Sequence, residues 1–588
     1  MTTVKSQRRF EYLFFGLLLI LCLFLANIMN FPDNKPVRPY KISSDKAQYY
    51  IYLPATFIYN WDAHKFPKNC DKDRYGFVLD SANNKVSTKT TYGVALLWSP
   101  FFLATHLIAL QWSSEPDGFS YFYERMTIVP GVIYLILGLF FLRRFLLRYY
   151  SSVISYLTVI IVFVGTNLYS YAMKDGLMSH VNSFFLFCLY LFLLKKFLDS
   201  ERKPFPLFIG ISLVVAVAML IRPTNIILLT WMAFLDARSM KEIWQRIVFF
   251  LKPKYIIAFV VIAFLIFLPQ LFYWKYLTGK FVYYSYPGES FTNFANPMLL
   301  PFWFAPLNGL FLYSPLVLLF IAGMVIMIVK KVPNGIFTLG MFLLISYIFA
   351  SWYCWFFGGS FGCRPMVEFY ALFALPFGYL LTLVSRNKNL YIRSLTIVFI
   401  IASSYYTLKL TYLNFWNTAS TWAWNDYLLR LDQCHLYHDQ GRSFTYVDDF
   451  ENPAQVKVYP TNERYHSATV GAYVNDWAEN YCAFSRILKT ILPRPTRKVT
   501  ASIWVYRPEK IKTGTQFACL ICDGNYNLMY SRTLPLDNLI RKPGEWTKIS
   551  ETIKIPWWID QSNSISFVVK NPGRKYTLFF DDLYLKFE

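Results

Sequence analysis

A single carboxylate, Asp45, sits among Tyr49, Tyr50 and Tyr52 in the stretch ISSDKAQYYIYLPATF. Lys89 and Tyr92 lie in STKTTYGVALLWSP, and Asp175 and His180 lie in MKDGLMSHVNSFF. Arg222 ends the apolar run GISLVVAVAMLIRPTN, and Arg364 and Glu368 share GGSFGCRPMVEFY. A carboxylate in such company can take a proton from an attacking hydroxyl. The planar fork of arginine suits a phosphate better than the point charge of lysine. An arginine at the centre of a membrane helix costs about 2.5–3.5 kcal/mol on insertion scales and less near the edge, so Arg222 and Arg364 are expected to face a polar site. Pro365 suits the first turn of a helix, which puts Arg364 at a helix start, where anions are favoured. One acid, several cations and aromatics predict a site for an anionic lipid and a hydroxylated partner.

Each residue also has a plainer reading. Asp45 after Ser43 and Ser44 is a good N-cap for KAQYYIYLP, and Asp175 can cap the helix after it. His180 can be a buried, hydrogen-bonded histidine. Lys89 and Arg222 can snorkel to the membrane surface, and the three tyrosines can form an interfacial belt. The functional reading rests on all of them falling on one face, which depends on topology.

The chain has 588 residues, 55% of them hydrophobic, and its mean hydropathy is +0.33. Apolar runs of about 20 residues, long enough to span a bilayer, recur through the first two thirds. Leu13–Met29 holds no charge and follows Lys5, Arg8 and Arg9. NIMNFPDNKP offers no good cleavage site, so a retained anchor is expected. The bases gather at Arg143, Arg144 and Arg148, at Lys195 to Lys203, at Arg238 to Lys254, at Lys330 and Lys331, and at Arg386 to Arg393. Placing these loops in the cytosol puts the N-terminus there too. Parity then predicts that Tyr92–Trp112, though apolar, is a juxtamembrane or re-entrant helix on the outer face. About eleven crossings result, one of them short, near Asn225 to Leu235, and the C-terminus lies outside. The net charge of +23 follows these loops. It forms no stripe and accompanies no nucleic-acid motif, so no nucleic-acid partner is expected.

From about Asp448 the pattern changes to alternating segments such as VTASIWVYR, WTKISETIKI, SISFVVK and YTLFFDDLYLKF, bounded by DGN, KPGE and NPGR. Period-2 alternation with turns at this spacing predicts an antiparallel β-sandwich. The predicted organisation is a polytopic α-helical membrane domain over 1–413, with a large outer loop at 31–112, then an interfacial linker over 414–440 and an all-β sandwich over 441–588. The linker carries Trp416, Trp422 and Trp424, which suit the headgroup zone. Nine cysteines are scattered. Cys519 and Cys522 have metal-like spacing but alternate faces on a strand, so a structural role is expected. Cys434 and Cys482 can pair outside the cytosol; the sequence leaves pairing open.

The order of segments from about Arg9 to Tyr412 resembles the GT-C superfamily of integral-membrane glycosyltransferases, which includes protein mannosyltransferases and the lipid A aminoarabinose transferase. An acid in the first outer loop matches Asp45. KTTYGVALLWSPFF matches a segment opening an outer helix, and DGLMSH matches a polar start to a later one. IRPTN, LNGLFLYSPL and GGSFGCRP are similar to a bacterial branch of the superfamily. The resemblance implies a GT-C-like fold, a polyprenyl-phosphate sugar donor and a glycan, lipid or protein acceptor. It implies a bacterial inner-membrane location with the β-domain in the periplasm. Asp45 becomes the general base; Lys89, Arg222 and Arg364 bind the donor phosphate; Tyr49, Tyr92, Asp175, His180 and Glu368 line the substrate pocket. Where family members often pair acids in the first loop this chain has SSDK, and Asp175 or His180 stands where some carry a second acid. A divalent metal at the site is therefore an open expectation. The terminal domain resembles carbohydrate-binding-module and galactose-binding jelly rolls. Their pattern implies a structural calcium at Asp449, Glu451 and Asp581, whose hard oxygen ligands suit that ion. Two other classes compete: a flippase or transporter of lipid-linked sugars, and a non-catalytic glycan-binding membrane protein. The first usually shows internal repeats, which the sequence lacks; the second leaves the polar residues on separate helices without a purpose.

Overall fold

The computed structural model describes residues 2–31, 41–113, 115–412, 427, 443–450, 460–461, 463–467, 470–475, 480–492, 496–508, 513–524, 526–540, 542–572 and 577–588. The chain forms two compact units, Met1–Tyr427 and Leu428–Glu588, divided within the predicted linker. Trp416, Trp422, Trp424 and Cys434 lie outside the described residues.

The first unit is helical. Its opening helix, α1 (Thr2–Asn30), is followed by a segment with α2 (Asp45–Tyr50), α3 (Tyr52–Phe57), α4 (Cys70–Arg74) and a hairpin of β1 (Phe77–Asp80) and β2 (Lys85–Thr88). Next come α5 (Gly93–Trp112), α6 (Tyr121–Met126), α7 (Ile128–Leu146), α8 (Ser152–Val164), α9 (Leu168–Met173), α10 (Ser179–Asp199) and α11 (Phe205–Ile221). A 3-10 stretch, Pro223–Ile227, leads into α12 (Leu228–Phe234), then α13 (Met240–Phe250) and α14 (Pro253–Thr278). The unit closes with α15 (Leu299–Phe304), α16 (Leu310–Tyr313), α17 (Val317–Val329), α18 (Gly335–Ala350), α19 (Tyr370–Arg386) and α20 (Leu390–Tyr412).

The ends of these helices follow from residues that cannot continue them. Pro223 follows the end of α11, and proline disfavours helical backbone in the residue before it. Gly279 closes α14 at φ 78°, in the left-handed region that favours glycine. Ser239 caps α13, its hydroxyl accepting from the Glu242 N–H at 3.2 Å. The bundle is tightened where glycines let helices meet. A Cβ on Gly131 of α7 would lie 2.7 Å from the Gly176 Cα, before α10. Further along both helices the ring centroids of Phe141 and Phe192 lie 5.5 Å apart, so α7 and α10 run parallel.

Six helical stretches among the described residues are long and apolar enough to cross a membrane: Arg9–Asn30, Gly93–Trp112, Tyr121–Leu146, Ser179–Asp199, Pro253–Thr278 and Leu390–Tyr412. Six shorter apolar ones accompany them: Ser152–Val164, Phe205–Ile221, Pro223–Phe234, Val317–Val329, Gly335–Ala350 and Tyr370–Arg386. The basic helix ends gather at one end of the bundle. Arg143 and Arg144 both pair with the buried Glu11 of α1. Lys195 lies 3.0 Å from Asp236, and Asn334 donates to the same Asp236 at 2.7 Å. The stretch 223–235 runs down from the level of Ser183, which Asn225 meets, to that of Lys195.

The first residue of α5, Gly93, abuts Ile221 at the C-terminal end of α11. His106, thirteen residues on and about 20 Å along the helix, meets Tyr123 of α6 at 2.5 Å. Both contacts are at the end of the bundle remote from Arg143 and Lys195. Between these two contacts Trp98 donates to Asn182 of α10, and the Tyr134 hydroxyl of α7 donates to the Leu97 carbonyl.

The second unit is an antiparallel sandwich. One sheet holds β10 (Trp546–Lys554), β7 (Lys498–Tyr506), β12 (Leu578–Phe587), β5 (Gly471–Val474) and β4 (Pro460–Thr461) in that order, with β3 (Phe444–Asp448) also on β12. The other runs β6 (Asn480–Ile487), β11 (Ser564–Lys570), β8 (Gln516–Cys522) and β9 (Leu528–Pro535). Alternate residues of the two sheets, such as Ile503, Leu585, Ile521 and Phe567, meet in one core, as facing sheets of a sandwich require. Cys519 is buried in that core.

Candidate functional site

Asp45 opens α2 and does not cap it. The residue before it, Ser44, has φ 55°, and no side chain caps the helix. The Ser44 turn is held from behind: its N–H donates to the Arg74 carbonyl at 2.8 Å. A Cβ on Gly76 would lie 2.2 Å from the Ser44 oxygen, so only glycine fits there. Arg74 in turn donates to the Ile42 carbonyl and is paired with Glu124 at 2.6 Å. This bracing aims the Asp45 carboxylate at Arg364, whose Nη1 lies 2.9 Å from Asp45 Oδ2.

The tyrosines after Asp45 are not a membrane belt. The Tyr50 hydroxyl donates to the Gly118 carbonyl at 2.6 Å, and that of Tyr52 to the Thr90 carbonyl at 2.7 Å. Both rings are buried and tie the segment after α1 together. Tyr49 reaches Ser179 Oγ at 3.3 Å, at the start of α10.

Arg364 comes from the turn SFGCRP. Gly362 has φ 64°, and a Cβ there would lie 2.6 Å from Tyr313. The Phe361 N–H donates to the Tyr171 hydroxyl. The expectation of an anion-favouring helix start at Arg364 is corrected: Arg364–Met366 is a single 3-10 turn, and α19 begins only at Tyr370. Proline at the second place of that turn ends the extended segment without starting an α-helix.

Behind this pair lies a buried triad. His180 Nδ1 is 3.0 Å from Glu368 Oε2 and 3.0 Å from Arg222 Nη1. A neutral ring with its proton on Nδ1 donates to Glu368; with the proton on Nε2 it accepts from Arg222. Glu368 Oε1 lies 3.2 Å from Arg222 Nη1 but outside hydrogen-bond geometry. Glu368 is fully buried, so its charge is balanced by Arg222 and not by water. Lys89 pairs with Glu289 at 2.8 Å, beneath the Tyr286 ring at 5.3 Å. Each expected phosphate ligand thus has a carboxylate partner: Asp45 for Arg364, Glu368 for Arg222, Glu289 for Lys89.

Burial opposes charge on Asp45, but Arg364 and, more weakly, Lys89 and His180 outweigh it and hold the carboxyl below the ordinary aspartate range. Lys89 is likewise held above the usual lysine range: burial opposes its charge and Glu289 prevails. The cluster is a charged, carboxylate-and-guanidinium site with Asp45 a third exposed at its mouth. Such a site can accept a proton at Asp45 and hold an anion beside it.

Asp45, Tyr49, Lys89, His180, Arg222, Arg364 and Glu368 come together. Tyr92 does not: its N–H donates to Gln270 Oε1 and its hydroxyl to the Ile266 carbonyl, both on α14. Asp175 does not cap α10, whose N-cap is Met178; its carboxylate pairs with Lys46 at 2.9 Å. Sequence reasoning missed Lys46, Tyr286 and Glu289. Glu289, the one acid in the stretch YSYPGES, carried a signal; nothing local marks Lys46 or Tyr286.

In the sandwich, Asp581 accepts from the N–H groups of His466, Ser467 and Asp582. Burial nevertheless raises its carboxyl above the ordinary range. Asp449 is exposed and Glu451 lies outside the described residues. Among the described residues no three His, Cys, Asp or Glu side chains converge as metal ligands, in either unit.

No protein-family model matches the chain, and no curated protein matches it. Solved structures do match. Among them is the cryo-EM structure of arabinosyltransferase EmbB from Mycobacterium smegmatis, with a TM-score of 0.34 and 9% identity, over 97% of this chain and 64% of that one. This chain therefore spans less than two thirds of that enzyme's length. A TM-score of that size establishes neither fold nor function.

Proposed function

We propose that the chain is a GT-C-type membrane glycosyltransferase that moves a sugar from a polyprenyl-phosphate donor to an acceptor hydroxyl on the extracytoplasmic face. The observation that carries this reading is the Asp45–Arg364 pair, a partly exposed carboxylate held against a guanidinium at the end of the helix bundle remote from Arg143 and Lys195. In the proposed step Asp45 takes the acceptor proton while that oxygen bonds to the anomeric carbon. The bond from that carbon to the phosphate oxygen breaks, and its electron pair leaves with the polyprenyl phosphate. Direct displacement inverts the anomeric centre. Arg364, with Arg222 and Lys89 nearby, would stabilise the charge developing on the phosphate. A guanidinium carries five N–H donors, so Arg364 can hold Asp45 through Nη1 and still approach an anion.

The topology that goes with this reading has eleven crossings: the twelve apolar stretches less α5. It puts the basic ends in the cytosol and Asp45 outside. A bacterial inner membrane and a periplasmic β-domain complete the proposal. Purified protein given a radiolabelled polyprenyl-phosphate sugar should release or transfer the sugar. Movement of intact donor across liposomes without cleavage would instead support a flippase. A periplasm-only reporter fused after Glu588 should be active, and a cytosol-only signal there would overturn the topology.

A further inference from the structure

We propose that one end of the β-sandwich docks on a lipid bilayer surface through Trp557, Trp558 and Tyr526, a role separate from sugar transfer. Strand register brings these residues to the same end. β8 finishes at Cys522, which lies opposite Ser564 at the start of β11 and Leu528 at the start of β9. Ser564 is in turn opposite Ile487 at the end of β6. The turn 523–527 and the loop 555–563 therefore project from one end of the sandwich.

Both tips hold their aromatics outward. Ile555 and Ile559 are buried in the sandwich core, and the Ile559 N–H donates to the Pro556 carbonyl at 3.1 Å, closing a turn. Trp557 and Trp558 take its two central places, where Gly, Pro, Asn, Asp and Ser are usual, and they are 82% and 54% exposed. The loop is fastened to the connection from β6 to β7: the Lys489 N–H donates to the Gln561 carbonyl at 2.8 Å, and the Ile555 N–H to the Arg497 carbonyl at 2.9 Å. In the second tip the Tyr526 N–H donates to the Asp523 carbonyl at 3.1 Å. Both Asp523 carboxylate oxygens accept from Asn527, each at 2.9 Å. Tyr526 has φ 63°, in the left-handed region that favours glycine, and is 89% exposed.

Three rings on fastened turns, left in water at an apolar cost, call for a partner, and the surroundings indicate which. Trp and Tyr favour the headgroup zone of a bilayer. Lys489, Arg497 and Lys554 are exposed around the tryptophan turn, together with Asp560, and cations in that zone are attracted to anionic lipid. A glycan would call for a concave site with convergent polar groups, whereas these rings stand on protruding turns. The bilayer is also within reach. Residues 413–443 join the apolar α20 to β3, a distance of at most about 110 Å at full extension. β3 enters the sandwich at this same end: Phe444 lies opposite Phe587, and Phe587 opposite Val499 at the start of β7. Such a tether keeps the local concentration of bilayer high, so three anchoring side chains suffice for docking.

The test uses the full chain in nanodiscs of phosphatidylcholine with phosphatidylglycerol, in a background lacking accessible native cysteines. A nitroxide is attached at Ser562→Cys, exposed beside the tryptophan turn, and separately at Glu545→Cys, exposed at the opposite end before β10. The Ser562 label should be relaxed by oxygen and shielded several-fold from a water-soluble nickel chelate, and the Glu545 label should not. Trp557→Ala with Trp558→Ala should remove that shielding. Both side chains are exposed, so the melting temperature should stay the same, which separates lost docking from lost folding. Lys489→Gln with Lys554→Gln should weaken the shielding, as should phosphatidylcholine alone. A Ser562 label as open to the nickel chelate as the Glu545 label, or shielding that survives the double tryptophan variant, would overturn the proposal. Shielding that arises only when soluble mannan is added would assign the turn to a glycan and overturn it as well.

Discussion

Arg364 Nη1 and Asp45 Oδ2 lie 2.9 Å apart although 319 residues separate them in the chain. The contact joins the segment after α1 to the turn before α19, and it decides between two readings of Asp45. A helix cap would bond to the backbone of α2, whereas this carboxylate bonds to a distant guanidinium. Asp45→Asn keeps the shape and cap-like chemistry but loses the charge. The expected outcome is a folded protein whose sugar transfer falls by about 10²–10⁴, the usual contribution of a general base. Transfer from the radiolabelled donor at near-normal rates would remove Asp45 from the reaction.

The same pair sets a pH dependence. Arg364 lowers the folded-state pKa of Asp45 below its unfolded value. The stability it contributes is therefore present above the ordinary aspartate range and lost as pH falls through the lower folded value. The acid limb that Asp45 gives to the free-enzyme rate profile should lie below about pH 4, and kcat/KM against pH measures it. Replacing Arg364 by Gln should move that limb upward.

Arg364→Lys keeps a positive charge near Asp45 but loses the planar fork. Donor affinity should fall about tenfold, as expected for a weakened hydrogen bond to a charged group. Equilibrium binding of the polyprenyl-phosphate sugar is the readout. Unchanged affinity would transfer the phosphate role to Arg222 or Lys89.

Glu368→Gln leaves Arg222 without its buried counter-charge. Breaking such a pair costs about 3–5 kcal/mol, and the Arg222 side chain is only 19% exposed. A clear drop in thermal stability of the detergent-purified protein is expected. The double variant Arg222→Met with Glu368→Leu should recover much of the stability and none of the activity.

The course of α5 is open to labelling. Asn83 and Glu115 flank it and are exposed. In a background lacking accessible native cysteines, Asn83→Cys and Glu115→Cys should both react with an impermeant thiol reagent from the same side. Reaction from opposite sides would make α5 a crossing helix.

Much of this architecture was legible in the sequence because it depends on local pattern. Apolar length marks the helices, and period-2 alternation marks strands such as β7, β11 and β12. The site residues were also conspicuous, since Asp45, Arg222 and Arg364 interrupt apolar surroundings. Sequence could not say which charge answers which. Lys46 and Asp45 are neighbours in the chain, yet one reaches Asp175 and the other Arg364. Tyr92 looked like part of the pocket but is bonded to Gln270 and Ile266. Helix and strand signals arise from residues a few positions apart, so the chain itself carries them. Ion pairs such as Arg222 with Glu368 join the end of α11 to the turn before α19, whose relative placement is set by packing, and only the folded bundle fixes that placement.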